Sequence, residues 1–320
     1  MSRIALSIPA AATARLLAVA ILAPSVGAWA QEAMVLKPGF RPGSASLVRI
    51  ETEVDMKLPM GGGPADQKLR MEYRVSREVD WHEDAKSKIV EVTVDSVSTE
   101  MSMPGMQMRY DSTDPASRDA LLGAAFRPLI DNAIQLVYDE NDAFVKMDNT
   151  DAFAGMGEAP FGQQIGPEQI RQFARSALEG GLSDHPVRPG DTWTQQLEIP
   201  FPGMGPLGFT VQYIYRKDVS VKGSAHALIE FEGTIAGRDG AQGEESEEGL
   251  EARERRADEG VQEGTLRGKI ALDKTILMVS DSELTMNLKL MMPSSLGVDE
   301  EIELPIVQVV RISLLSYRAP

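Results

Sequence analysis

Two-residue alternation, sustained over runs far longer than an average strand, is the feature of this chain that most restricts its fold. Between Leu47 and Lys57, Val48, Ile50, Val54 and Met56 alternate with Arg49, Glu51, Glu53, Asp55 and Lys57. Leu69, Met71, Tyr73 and Val75 then alternate with Lys68, Arg70, Glu72 and Arg74. Successive side chains of an extended strand point to opposite faces, so the pattern belongs to a sheet with one apolar and one wet face. Half-solvated sheets of this kind are antiparallel, because parallel strands are covered on both sides and read as continuous apolar runs. Met60-Gly-Gly-Gly-Pro64 supplies the hairpin loop between the two runs. Ile89 to Val97 and Met106 to Tyr110 continue the meander.

After Tyr110 the alternation stops. Asp114-Pro115 is a cap and first-turn pair, and it predicts a short helix over Ala116 to Phe126 that ends before Pro128. Asp139-Glu140-Asn141-Asp142 reads as a tight turn between Ala133–Tyr138 and Ala143–Met147. A second helix opens at Pro167, with Ile170, Phe173, Ala174, Ala177 and Leu178 on one stripe and Gly180-Gly181 as its stop. Strands return at Trp193 and run through Phe209–Tyr215, Ala225–Phe231, Leu266–Leu272, Ile276–Met291 and Ile302–Leu315. Leu284, Met286, Leu288 and Leu290 share one face. The predicted fold class is mainly β: a large curled antiparallel sheet, half-barrel or barrel-like, with two short helices, near 115–126 and 167–180, packed on it. Two smaller sandwiches are the alternative. An outer-membrane barrel is disfavoured, since aromatic residues are 6 % of the chain and form no girdle.

Arg3 and Arg15 precede an apolar core, Leu16 to Ala23, and Ala28-Trp29-Ala30 gives a small-x-small cleavage signal. Residues 1–30 are therefore expected to be a signal peptide and 31–320 a single β-rich domain, exported to the periplasm or beyond the cell. No later stretch is long and apolar enough to span a bilayer, so no transmembrane segment is expected after cleavage. Residues 241–264 are dominated by glutamate and read as a solvated, disordered or frayed-helical insertion between two strands.

A net charge of −16 and the lack of any basic patch exclude nucleic acid as a partner. The chain has no cysteine, which excludes disulfides, thiolate metal sites and cysteine nucleophiles, and His82, His185 and His226 are too few for a multi-histidine centre. Gly203-Met204-Gly205-Pro206-Leu207-Gly208 matches the dinucleotide fingerprint in letters only: a strand, not a helix, follows it. Met101, Met103, Met106 and Met108 surround Pro104-Gly105. They read first as adaptable core packing, next as a pliable surface for an apolar ligand or partner, and last as a Cu(I) site. The acids Asp139, Glu140, Asp142, Asp148 and Asp151 lack calcium-loop spacing and read as turn chemistry. With no G-x-S-x-G context, and with all three histidines expected on surface or loops, no hydrolase triad is assembled. In Arg188-Pro189-Gly190-Asp191-Thr192-Trp193, Pro-Gly makes a turn and Trp193 begins the next strand on its inward phase.

Tyr110-Asp111-Ser112, the Tyr138-to-Val145 hairpin, the Arg188-to-Trp193 turn and the Gly268-to-Val279 hairpin resemble an uncharacterised family of secreted bacterial β-rich proteins, a domain of unknown function. That resemblance implies no activity. In architecture alone the chain is similar to lipoprotein-carrier half-barrels, which hold acyl chains between sheet and helices; the likeness is one of fold, and fold does not fix function. The expectation is an exported, non-enzymatic binding or interaction protein without a cofactor, whose partner is a protein or an apolar ligand. A periplasmic carrier of an apolar ligand such as a lipid is the alternative, and a hydrolase using scattered carboxylates is the second. Candidate apolar contacts are Met101, Met103, Met106, Met108, Phe173, Trp193, Met286 and Leu288.

Overall fold

Long antiparallel ladders dominate the computed structural model, which describes residues 33–60, 63–84, 86–117, 121–149, 181–201, 205–235, 261–293 and 301–320. In chain order the strands are β1 (Met34–Val35), β2 (Ala45–Met60), β3 (Gly63–Trp81), β4 (Lys88–Met103), β5 (Met106–Asp111), β6 (Ile134–Tyr138) and β7 (Phe144–Asp148). They continue as β8 (Pro186–Val187), β9 (Thr192–Phe201), β10 (Gly205–Val221), β11 (Ser224–Ile235), β12 (Val261–Asp273), β13 (Met278–Pro293) and β14 (Glu301–Arg318). β1 pairs with β8; the other twelve form one sheet, in the order β7-β6-β4-β3-β2-β14-β13-β12-β11-β10-β9, with β5 paired to β4. Among the described residues no ladder joins β7 to β9, so the sheet is open.

Register carries one apolar face across the whole sheet. Ile50 lies opposite Tyr73 on one side and Ile312 on the other; Met286 lies between Leu266 and Gln308. The opposite face is a charge ladder. Lys289 reaches Glu263 and Glu303 at 3.2 and 3.7 Å, and Arg311 joins Glu283 to Glu53 at 3.2 and 3.8 Å. Each exposed pair contributes about 0–1 kcal/mol, so the ladder fixes which face stays wet more than it stabilises the fold.

Bulges adjust this pattern. In β4 the buried residues are Lys88, Val90 and Val94, then Val97 and Thr99. The phase slips by one residue between the pairs Arg74↔Ser96 and Val75↔Val94. An extra residue in one strand keeps the apolar set on the same face while bending the ladder. At one end the sheet curls strongly: Arg77 of β3 donates to Met278 Sδ at 2.7 Å although two strands, β2 and β14, lie between theirs in the ladder. Strands that far apart would be separated by ~14 Å on a flat sheet. The segment before β2 closes this end, with Gly39 N donating to Leu277 O and Gly43 N to Val79 O.

Several details differ from the sequence-based expectations. Asp114 caps a single 3-10 turn, Pro115–Ser117, through its carboxylate to Ala116 N at 3.0 Å. The α-helix proper, α1, spans Leu121–Asp131 and runs through Pro128. A proline costs one intrahelical bond, and here it falls in the last turn, where Asn132 Nδ2 satisfies the Pro128 carbonyl at 2.8 Å. The expected second helix, 167–180, lies outside the described residues, as do residues 1–32 and 241–260. Residues 261–264, expected within the acidic insertion, begin β12 instead: Glu263 faces out to Lys289 and Gly264 is packed beneath Ile235 and Leu288. His226, expected on the surface, is 4 % exposed, because β12 sets Asp273 opposite it, with Nε2 3.6 Å from the carboxylate.

Candidate functional site

Three sealed clusters occupy the inner face of the sheet. The largest draws Trp193, Phe209, Tyr213, Ile229, Met286 and their neighbours from β9–β14 and packs them under Leu36, Leu182 and Val187. A second holds Phe40, Val79, Val90, Ile134, Leu136 and Tyr138. The third sets Val94, Val97 and Tyr110 against Phe126, Leu129 and Ile130 of α1. Between them runs a strip on β14, β2 and β3 that belongs to none of the three. Around the buried Ile50 and Thr52 at its centre, Val48, Leu69, Met71, Val310, Ile312 and Leu314 line it, each half-buried although each sits on the apolar phase of its strand.

Desolvation marks the margin of the strip, where Tyr73 and Val75 pack on the third cluster. Tyr73 extends its hydroxyl to Met71 Sδ at 3.3 Å, and burial pushes that hydroxyl up to about 12. A thioether is a weak acceptor, so the phenol is held neutral by apolar surroundings and not by a strong hydrogen bond. Thr99, on the same face, keeps a buried Oγ1 with no hydrogen-bond partner among the described residues. At the curled end the strip meets Arg77, 9 % exposed, whose Nε donates to Ser46 Oγ at 3.2 Å. Burial lowers the guanidinium to about 10, with the Tyr138 and Tyr317 hydroxyls acting weakly the other way. Ser46, Arg77 and Tyr317 come into one row because Ser46 is the register partner of both others.

The residues singled out from sequence divide between these environments. Trp193, Met286 and Leu288 are core: they are 7 %, 1 % and 2 % exposed, and Trp193 stacks on Tyr213 with centroids 5.5 Å apart. Met101 faces Met108, and Met103 faces Met106, across the β4–β5 hairpin. Met108 packs on the third cluster, Met101 and Met103 are half-buried, and Met106 is exposed. Met101 is the register partner of Leu69, so it extends the strip sideways. Phe173 lies outside the described residues. Sequence reasoning missed Arg77, although a signal was present: it stands on the apolar phase of Leu69, Met71, Tyr73, Val75 and Val79.

Other motifs resolve into turn chemistry. Asp139 Oδ1 accepts from Asn141 N and Ala143 N at 2.8 Å each, and Asp142 pairs with Lys88. Asp191 Oδ2 accepts from Arg188 N at 2.8 Å, fixing the turn before Trp193. β10 starts at Gly205, inside the Gly203–Gly208 run, so the run leads into a strand and among the described residues no helix N-terminus is offered there to a pyrophosphate.

A family model described as "Family of unknown function (DUF6263)" matches residues 85–279, a span that contains each of the four landmarks singled out in the sequence. No curated protein matches the chain. In fold the chain is similar to a lipovitellin structure described as "Lipid-protein interactions in lipovitellin", with a TM-score of 0.51 at 10 % identity, over 88 % of this chain and 26 % of that one. This chain thus spans about a quarter of the lipovitellin chain. DynF, from the dynemicin biosynthesis pathway of Micromonospora chersina, aligns at 9 % identity over 92 % of this chain and 88 % of its own, with a TM-score of 0.18. A Vibrio parahaemolyticus domain provisionally assigned as an outer membrane lipoprotein-sorting protein aligns at 8 % identity over 84 % of each, with a TM-score of 0.13. Neither of the last two scores amounts to a shared fold.

Proposed function

The chain belongs to that family of unknown function, by a match over more than half of its length, and we propose that it is an exported, non-enzymatic binding protein that holds an apolar ligand along the strip on β14, β2 and β3. One observation carries the reading: the middle of a very long sheet leaves apolar side chains half-buried while sealed clusters lie on either side. A fold built only to bury its core closes such rows, because each square ångström of apolar surface taken from water contributes ~25 cal/mol. Ligand sites are mostly apolar surfaces with a few placed polar groups, which is what Tyr73, Thr99 and Arg77 provide around this strip. The 10 % likeness to lipovitellin establishes fold alone; the side chains of this chain carry the reading. Export rests on the sequence of residues 1–30.

Native mass spectrometry of the chain purified gently from an exported fraction tests this, together with titration by a fluorescent apolar probe such as 1-N-phenylnaphthylamine. A reproducible adduct of lipid size and saturable probe binding are expected. A folded chain with neither adduct nor saturable probe binding refutes the apolar-ligand reading and points the search toward a protein partner.

A further inference from the structure

We propose that Arg77 receives the anionic head of this ligand, which is therefore an acyl chain ending in a carboxylate or phosphate and not a neutral lipid. The inference rests on the apolar-ligand reading above and deepens it. Arg77 is 9 % exposed, and its partners are a serine hydroxyl and a thioether, Ser46 Oγ at 3.2 Å and Met278 Sδ at 2.7 Å. Among the described residues no carboxylate lies within ion-pair distance of it. Glu78, its sequence neighbour, is exposed and turned to Arg318 at 4.0 Å. A buried charge without a counter-ion is among the costliest arrangements a fold retains, and it is characteristically matched by a partner of opposite sign. A guanidinium presents five N–H donors in a planar fork that suits two oxygens of one carboxylate or phosphate. Ser46 and the thioether take one donor each, which leaves that fork undersubscribed.

The place fits as well as the charge. Arg77 lines a depression of about 270 Å³ together with Ser46, Ser76, Glu78, Tyr317 and Arg318, and Glu78 and Arg318 face each other at 4.0 Å. Ser46 and Tyr317 share the row of Arg77 and offer hydroxyls beside it, whereas Ser76, bonded to Asp95, and Arg318, set against Glu78, stand on the other strand phase. From Arg77 the inner row of β3 continues through Val75 and Tyr73, which pack on the third cluster, to Met71 and Leu69, eight residues away, or ~26 Å of strand. One leaflet of a bilayer core is ~15 Å thick, so this row accommodates the tail of a membrane-derived acyl chain from head to end. An anchored head at the curled end and a tail along the half-buried rows use both features with one molecule.

The test uses the chain lacking residues 1–30, titrated with palmitate, hexadecyl phosphate and hexadecanol, which share a tail and differ in the head. The wild type is expected to bind at least one anionic amphiphile tenfold or more tightly than hexadecanol. The tighter of palmitate and hexadecyl phosphate assigns the source of the oxyanion. Arg77→Met is expected to abolish the preference, bringing palmitate and hexadecyl phosphate down to the affinity of hexadecanol, and Arg77→Lys to retain part of it. Unliganded Arg77→Met is expected to melt no lower than wild type, since it removes an uncompensated buried charge; a lower melting temperature would mark Arg77 as structural and overturn the proposal. Should Arg77→Met fail to fold, the same titrations on Arg77→Lys and Ser46→Ala carry the test. Equal affinity for charged and neutral heads, or a preference that survives in Arg77→Met, overturns the inference alone. Failure of all three amphiphiles to bind the folded wild type overturns the apolar-ligand reading with it.

Discussion

Replacing Met286 by alanine and, separately, Met71 by alanine distinguishes a core methionine from a ligand-facing one. Met286 is 1 % exposed, inside the largest cluster, with Leu266 and Gln308 as its register partners. Alanine removes three heavy atoms, worth about 2.4 kcal/mol of transfer at ~0.8 kcal/mol each. If about 40 Å³ of the vacated space persists, the cavity adds ~1 kcal/mol at 24 cal/mol per Å³. The expected loss is therefore about 3 kcal/mol, a large part of the stability of a typical domain. Met71 is half-buried and lies in none of the clusters, so the same truncation is expected to cost under about 1.5 kcal/mol. Urea unfolding followed by tryptophan fluorescence reads both values, and probe titration reads affinity. Met286→Ala should lower the midpoint and leave affinity unchanged below the transition; Met71→Ala should weaken probe binding severalfold with a near-native midpoint. The reverse assignment, with affinity lost at Met286 and stability lost at Met71, would refute the division of the inner face into sealed clusters and an open strip.

In the chain lacking residues 1–30, and so Trp29, Trp193→Phe should keep the stack on Tyr213 and remove a buried indole N–H that has no acceptor among the described residues, so it should cost below about 1.5 kcal/mol; the blue-shifted part of the emission should vanish, leaving the spectrum of Trp81, which is 54 % exposed. Burial pushes the hydroxyls of Tyr73 and Tyr213 up to about 12 from an ordinary 10. The unfolded chain then loses these protons first, and stability falls as pH rises from about 10 toward 12. Absorbance at 295 nm should show part of the phenolate signal arriving only with unfolding, and a single early transition for every tyrosine would contradict it. Gly268→Ala should prevent or severely weaken folding, because the new Cβ would lie 2.1 Å from Glu283 O and 2.5 Å from the Phe231 ring; near-native circular dichroism and melting would refute the packing at that crossing. Asp111 is held below the usual carboxylate range by hydrogen bonds from Thr113, so its contribution is present above pH ~4 and lost as pH falls below it; Asp111→Asn should flatten that part of the acid-stability curve.

Alternation made the sheet legible. Val48 to Met56 and Leu69 to Val75 fell on the faces their period assigned, and Leu284 to Leu290 did the same on β13. What it could not show were the places where one face is kept by breaking the period. The bulge near Val94 changes the buried phase of β4, and only the partner strand reveals that Val94 and Val97 face the same way. Three-dimensional pairing likewise decided His226, whose polar phase suggested solvent until β12 set Asp273 opposite it. Helix limits failed for a local reason: Pro128 stops a helix in its interior, but in the last turn it forfeits a single N–H donor, and Asn132 caps the orphan Pro128 carbonyl that the helix end leaves. Trp193, Met286 and Leu288 were correctly read as apolar and inward, yet sequence alone cannot tell a sealed apolar residue from a half-sealed one. That difference depends on which strands, and which crossing segments, lie above it.

Strand length supplies the final link between fold and function. β2 and β3 run 16 and 19 residues, against a usual five or six, so they extend well beyond what a short sandwich needs to close its core. In a sheet of twelve strands the central rows are the easiest to bury, being flanked laterally on both sides. Here the sealed clusters centre on β9–β14 and on β4–β6, and between them, around the buried Ile50 and Thr52, the rows of β14, β2 and β3 keep Val48, Leu69, Met71, Val310, Ile312 and Leu314 half-buried. The face behind those same rows is charged and paired, so the strip is not a general softening of the sheet. An unfilled apolar surface lowers stability, and so does an uncompensated guanidinium at its end. Two costs set side by side on one row of one strand are what the proposed amphiphile would offset together, its tail covering the first and its head neutralising the second.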